Sequence, residues 1–190
     1  MDIMDIPNGR SGNWTVEEFE VSENDANFFN LRCAFQPGMG HRGIKPGRYK
    51  RLKHFKTTVM SNTPAEIGDH RYFILIAEGD ILINGLGLGV VLSELLKKDK
   101  VKSITVIEKS KDVIKLVGKH FEKDERVSII HADAYKWKPP KGTKYNYVWH
   151  DIWSYISGDN VEGMKKLHRR YGRRTSWQGS WCRELCEMYR

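Results

Sequence analysis

Five residues set the tightest limits on this fold: Gly85-Leu86-Gly87-Leu88-Gly89. They lie directly after the apolar run Ile81-Leu82-Ile83 and directly before Val91, Leu92, Leu95 and Leu96, which recur at helical spacing. A strand, a glycine turn and a helix in that order put the free N–H groups of a helix start beside a strand end. Glycine there lets the backbone turn tightly and lets a ligand approach it. The same rhythm continues downstream. Ile104-Thr105-Val106-Ile107 reads as a second strand ending in Glu108, and Ser110 caps a helix with Val113, Ile114, Val117 and Phe121 on one face. Val127-Ser128-Ile129-Ile130 is a third strand followed by Asp133, and residues 145–149 form a fourth followed by Asp151. A further helix opens at Asp159-Asn160-Val161-Glu162 and stops at Gly172. Alternation of this kind predicts an α/β, Rossmann-like, mostly parallel sheet with helices on both faces. Ligands bind such sheets at the carboxyl ends of the strands.

The flanks are less regular. Trp14-Thr15-Val16 and Phe19-Glu20-Val21 read as strand, residues 36–47 as a Gly/Pro-rich loop, and residues 48–59 as one or two short strands. Thr63-Pro64-Ala65-Glu66 reads as a helix start, with Thr63 as cap, Pro64 at the first helical position and Glu66 closing a capping box. That helix is expected to reach about Ala77. The expected division is a small β-rich extension with a basic loop over 1–62 and the Rossmann-like domain over 63–190. After the fourth strand the chain has room for a fifth near 175–178 and a short helix to Arg190. The sheet is therefore expected to be shortened at its C-terminal end. Its edge would need cover from the N-terminal strands or from a second copy in a homo-oligomer.

Composition excludes several classes. The longest apolar stretch, 81–96, is broken by glycines and polar residues, so no membrane span is expected. The acidic start Met1-Asp2-Ile3-Met4-Asp5 lacks the layout of a secretion signal, and Cys33, Cys182 and Cys186 have no metal-ligand rhythm. A cytoplasmic protein with reduced thiols and no metal site is the expectation. The net charge of +8 is uneven. Asp2, Asp5, Glu17, Glu18, Glu20, Glu23 and Asp25 make the first segment acidic, whereas Arg42, Lys45, Arg48, Lys50, Arg51, Lys53 and Lys56 form a block with no acid. A second basic block runs through Lys165, Lys166, Arg169, Arg170, Arg173 and Arg174. Such blocks suit an anionic partner, and Tyr49 and Phe55 between the charges could stack on a base. A solvated edge hairpin explains the first block equally well.

Residues 80–153 resemble the class I S-adenosylmethionine-dependent methyltransferases, and among them the branch that includes the spermidine synthases. The likeness is carried by Ile81 to Leu92, by Thr105-Val106-Ile107-Glu108, and by Arg126 to Ala134. It implies S-adenosyl-L-methionine as cofactor, with Gly85, Gly87 and Gly89 facing the methionine moiety. Glu108 would face the ribose, Asp133 and Ala134 the adenine amino edge. Asp151 would lie at the mouth of the reaction site, where it or His150 would act as a general base if the acceptor must lose a proton. Trp153 would stack on a flat acceptor or on adenine. Glu66, Asp69 and His70, on the helix before the first strand, would line the acceptor site.

Three departures refine the reading. Ile83 stands where the family carries an acid two positions before the first glycine. Val90 replaces the small residue of a dinucleotide fingerprint. Leu88 and Trp153-Ser154-Tyr155 occupy places where spermidine synthases carry acids, so a polycation lacks its carboxylates. No Asn-Pro-Pro-Tyr sequence of the base-amino methyltransferases is present. The expected activity is thus methyl transfer to a small-molecule or nucleic-acid acceptor. The rivals are aminopropyl transfer or breakdown of the cofactor, and a non-catalytic nucleic-acid-binding protein on a truncated methyltransferase fold.

Overall fold

The structure, a computed structural model, describes residues 2–36, 39 and 42–190. Of the loop expected over 36–47, Pro37, Gly38, Gly40 and His41 lie outside the described residues. Nine strands form two sheets among the described residues. The first is antiparallel in the order β1 (Gly9–Ser11), β2 (Trp14–Val21), β3 (Gly47–His54), β4 (Thr57–Ser61). The second contains β5 (Gly79–Asn84), β6 (Val101–Glu108), β7 (Val127–His131), β8 (Tyr145–His150) and β9 (Thr175–Ser180). Its order is β7-β6-β5-β8-β9, with every pair parallel. This is the α/β, Rossmann-like sheet expected from the sequence, with five strands and an antiparallel N-terminal sheet. The chain steps outward from β5 through β6 to β7, then crosses back to β8 on the other side of β5. The reversal opens a crevice at the carboxyl end of β5.

Alternation along β5 decides which helix covers which face. Ile81 and Ile83 join the cluster that holds Phe73 of α2 (Pro64–Ile76) and Leu92 and Leu95 of α3 (Val90–Leu96). Leu82 points the other way, against Leu167 and Tyr171 of α5 (Asn160–Tyr171). The helix over 111–121 (α4) is α-helical at both ends, with a π turn at Ile114–Gly118, and buries Val113, Val117 and Phe121. Ser110 caps it as expected, accepting from the Val113 N–H at 3.3 Å. On the first face, Phe73 stacks on Trp149 with ring centroids 4.8 Å apart and planes inclined by 7°. Each such buried ring contributes on the order of 2–3 kcal/mol. Val16, Leu52 and Met60 of the N-terminal sheet belong to the same core, so the two sheets pack as neighbours.

One local expectation needs correction, and one element lies outside the expected set: within the β-rich N-terminal segment, residues 23–35 form α1 (Glu23–Phe35). The helix shows no clear apolar period because it buries only Ala26 and Cys33, while Phe28, Leu31 and Phe35 face outward. Thr63 and Pro64 do start α2, but no capping box forms: Thr63 Oγ1 lies 3.0 Å from Ser61 Oγ, and Glu66 turns inward. The other end of α2 is closed by Lys98. Its ammonium donates to the carbonyls of Ile74 (2.6 Å), Leu75 (2.9 Å) and Ala77 (2.6 Å), and its charge suits the negative end of the helix. A short helix, α6 (Arg183–Met188), ends the chain. Among the described residues no helix is long and apolar enough to cross a membrane.

The start of α3 depends on one glycine. Gly89 takes φ +78 as N-cap residue, and a Cβ there would overlap the Phe121 ring. Gly89→Ala should therefore destabilise the fold by about 2–3 kcal/mol, measured as a lower urea midpoint at unchanged slope.

Candidate functional site

The carboxyl ends of β5, β6, β7 and β8 and the inner edge of the N-terminal sheet enclose a cleft of about 410 Å³. Its floor is the glycine turn. Gly85 takes φ +99, and its N–H donates to the Ile107 carbonyl at 2.8 Å; the Asp151 N–H donates to the Asn84 carbonyl at 2.8 Å. A side chain at 85 would overlap the Asp151 carbonyl oxygen. Gly87, at φ +52, lies under Met60, whose sulfur is 3.2 Å from the Leu88 nitrogen. Of the expected cofactor residues, Gly85, Gly87, Glu108, Asp133 and Ala134 line this cleft, and so do Asp151 and Trp153. Gly89 does not line it; it sits one turn deeper, holding α3 against Phe121.

Glu108 ties two loops together. Oε2 accepts from the Leu86 N–H at 2.9 Å and Oε1 from the Ser110 N–H at 2.7 Å. Each oxygen retains a second acceptor site. Asp133 accepts from the Tyr135 N–H at 2.8 Å and pairs with Lys109 at 3.0 Å. Burial alone would raise its pKa, but the Lys109 ammonium and the Tyr135 N–H hold it below the usual carboxylate range. The carboxyls of Glu108 and Asp133 at this end of the cleft are thus already held by backbone N–H groups. Opposite it stand Trp14 and His54, stacked with centroids 4.4 Å apart.

Asp151 has different surroundings. Its side chain is 7% exposed, and its Oδ2 lies 3.8 Å from Nε2 of the fully buried His70. Burial, then the nearby Glu66, Asp69 and Glu108, push its pKa well above the carboxylate range. Glu66 is raised to about 7, chiefly by burial, with Arg42 opposing and Asp69 adding to the effect. His70 is lowered to about 3 by burial and by Arg42. Arg42 pairs with Asp69 at 2.9 Å, and the Cys182 thiol beside them is pushed up by burial and by Asp69. Glu66, Asp69 and His70 are thus gathered behind Asp151, not along the cleft wall, where none of them appears. Sequence reading missed Arg42, Cys182 and Met60 here. Only the tertiary fold brings them to the site, although Cys182, at φ 47, adopts a strained conformation.

His150 also lies off the cleft. The Asn84 amide donates to its Nδ1 at 2.8 Å, so Nε2 carries the proton toward Gln178 Oε1 at 3.3 Å. Burial and His168 lower its pKa to about 3. Part of each basic block is spent on structure. The buried Lys50 donates to the carbonyls of Met4 and Ile6, and Glu17 pairs with Arg51 (2.6 Å) and Lys53 (3.1 Å). Arg170 donates to the Trp137 carbonyl at 2.7 Å and to that of Tyr135, while Arg174 donates to the Thr143 carbonyl at 3.2 Å. Lys45, Arg48 and Lys56 remain exposed. Among the described residues no group of three or more His, Cys, Asp or Glu is arranged to hold a metal ion.

Residues 75–157 match the family model described as ribosomal RNA adenine dimethylase. Comparison with curated protein sequences gives no match. Among solved structures, the chain is similar to the DhpI–SAH complex at 21% identity, covering 49% of this chain and 43% of that one, with a TM-score of 0.38. It is similar to the CcbJ methyltransferase from Streptomyces caelestis at 13% identity, covering 57% and 46%, TM-score 0.42. It is also similar to a dimethyladenosine transferase from Plasmodium falciparum at 24% identity, covering 45% and 30%, TM-score 0.37. The chain spans less than half the length of each of these three.

The buried His150 gives a pH test. Its folded pKa is depressed, so its contribution is intact above the unfolded value near 6.5 and is lost as pH falls toward 3. Between pH 7 and 5 wild type should lose about 2 kcal/mol more stability than His150→Gln, because the acid shifts of Glu66 and Asp151 are common to both. Urea titrations at the two pH values check this; parallel losses would contradict it.

Proposed function

We propose that this chain is an S-adenosylmethionine-dependent methyltransferase. The observation that carries the reading is the convergence of four successive strand ends on one cleft: the Gly85–Gly87 turn, Glu108, Asp133 with Ala134, and Asp151. The cradle fits an adenosyl cofactor. Gly85 and Gly87 leave the backbone bare where the methionine moiety would lie, and Glu108 keeps acceptor capacity for the two ribose hydroxyls. Asp133 and Ala134 take the adenine amino edge, and Trp153 forms the lip on the acceptor side. Gly89 and His150 serve this site indirectly, the first through the start of α3 and the second by fixing the end of β8. When bound, the sulfonium supplies the methyl group. The protein's task is then to hold the acceptor in line with it and exclude water.

The acceptor is a small molecule or a nucleic acid. The matched family acts on adenine in RNA, which favours a nucleic acid. Against this, residues 150–153 read His-Asp-Ile-Trp in place of a base-amino motif, and Arg42, Lys50, Arg51 and Lys53 of the first basic block are paired internally. Aminopropyl transfer has less support, because Leu88 is fully buried and brings no carboxylate to the cleft. The place beside the spermidine synthases rests on the resemblance of residues 80–153 alone. A cytoplasmic setting accords with free thiols at Cys33, Cys182 and Cys186.

Calorimetry with S-adenosylmethionine at neutral pH should show saturable binding, and Glu108→Ala should weaken it by about tenfold or more. Absence of heat with wild type at millimolar ligand would refute the assignment, and an unchanged affinity of the variant would refute the ribose contact.

A further inference from the structure

α1 gives little of its surface to the rest of the chain. The 13-residue helix buries only Ala26 and Cys33. Asn30 fastens that side to the next segment, accepting from the Ile44 N–H at 2.7 Å and donating to the Ile44 carbonyl at 2.9 Å. The opposite side carries Asn24, Phe28, Leu31 and Phe35, spaced by four, three and four residues. Phe28 is 66% exposed, Leu31 59% and Phe35 81%. Apolar residues on both sides leave the helix without a net period, yet the outer stripe by itself has the 3.5-residue repeat of a helix-pairing seam. A helix this short is marginal in water unless a face is covered, and a contiguous stripe of large apolar side chains marks an interaction surface.

The charges beside the stripe say what covers it. Asp25 and Arg32 lie seven residues apart on one flank of the seam, and both are exposed. In an antiparallel pair of identical helices this flank meets the same flank of the other copy, so each Asp25 faces the other copy's Arg32. Phe28 then packs on the other copy's Leu31, and Phe35 beside its Asn24. A parallel pair would set Arg32 against Asn27 and match no charge. The antiparallel arrangement also lays the acidic first turn, with Glu23 and Asp25, beside the last turn that carries Arg32, as the two helix dipoles favour. A helix that lies on a membrane surface instead flanks its apolar side with lysine and arginine, and α1 has two acids against one arginine. We propose that the outer stripe of α1 joins two copies of this chain as an antiparallel helix pair, closed by two Asp25–Arg32 ion pairs. The contact is isologous, so association stops at two copies. The Ser22 hydroxyl donates to Asp25 Oδ2 at 2.7 Å, and the carboxylate keeps acceptor sites for the guanidinium.

Sedimentation of the full chain tests this. Wild type should pass from the 22.1 kDa monomer to twice that mass between about 1 and 100 µM, as an interface of this small size predicts. Leu31→Lys should weaken association by about a hundredfold. Its circular dichroism and urea midpoint at about 1 µM, where both proteins are monomeric, should match wild type, because Leu31 is exposed in the single chain. Arg32→Glu and Asp25→Lys should each weaken self-association by about tenfold, since like charges then meet twice across the seam. An equimolar mixture of these two variants should recover a mixed dimer of near wild-type affinity, because both cross pairs are again opposite in charge. Wild type that stays monomeric at about 100 µM would overturn the proposal, and its sedimentation with phosphatidylserine vesicles would give the stripe to a lipid surface instead. A dimer that Leu31→Lys leaves intact would overturn the choice of surface. Failure of the mixture to recover would overturn the antiparallel pairing.

Discussion

The cleft depends on a backbone contact that only glycine permits. Gly85 lies so close to the Asp151 carbonyl that a side chain would overlap it, and the hydrogen bonds Gly85 N–H to Ile107 and Asp151 N–H to Asn84 fasten the ends of β5, β6 and β8 together. From that knot the turn can proceed only at positive φ through Gly87 and Gly89, which aims α3 back across the sheet. Glu108 then locks the turn by accepting from Leu86 and Ser110. The same few atoms thus close the sheet and form the floor of the site.

Around this knot burial pushes His70, His150, Glu66 and Asp151 toward their neutral forms, beside the Arg42–Asp69 ion pair. His150 accepts from the Asn84 amide and donates to Gln178 Oε1 at the end of β8. Glu66 is driven toward its protonated form by burial, with Asp69 adding to the effect, and Asp151 by burial and by Glu66, Asp69 and Glu108.

The Rossmann-like half was legible because its signals are local. Ile81, Leu82 and Ile83 alternate between two buried faces, Ser110 caps a helix with a single apolar stripe, and acids end the strands. The gathering of Glu108, Asp133 and Asp151 around one cleft followed from those ends. What escaped depends on long-range packing. α1 buries too little to show a period, and Arg42, Cys182 and Met60 reach the site only through the tertiary fold. Glu66 reads as a capping residue because Thr63 stands three positions before it; in the fold, the pull of the buried cluster prevails. His150 and Asp151 are adjacent in sequence, yet strand alternation sends their side chains to different environments, and only Asp151 meets the cleft.

The most direct test of the cofactor reading is a crystal structure of the protein grown with S-adenosylhomocysteine. The account predicts ligand density over the Gly85–Gly89 turn, with the ribose hydroxyls on Glu108 and the adenine beside Asp133 and Ala134. An empty cleft at saturating ligand, or a ligand bound elsewhere on the chain, would contradict it.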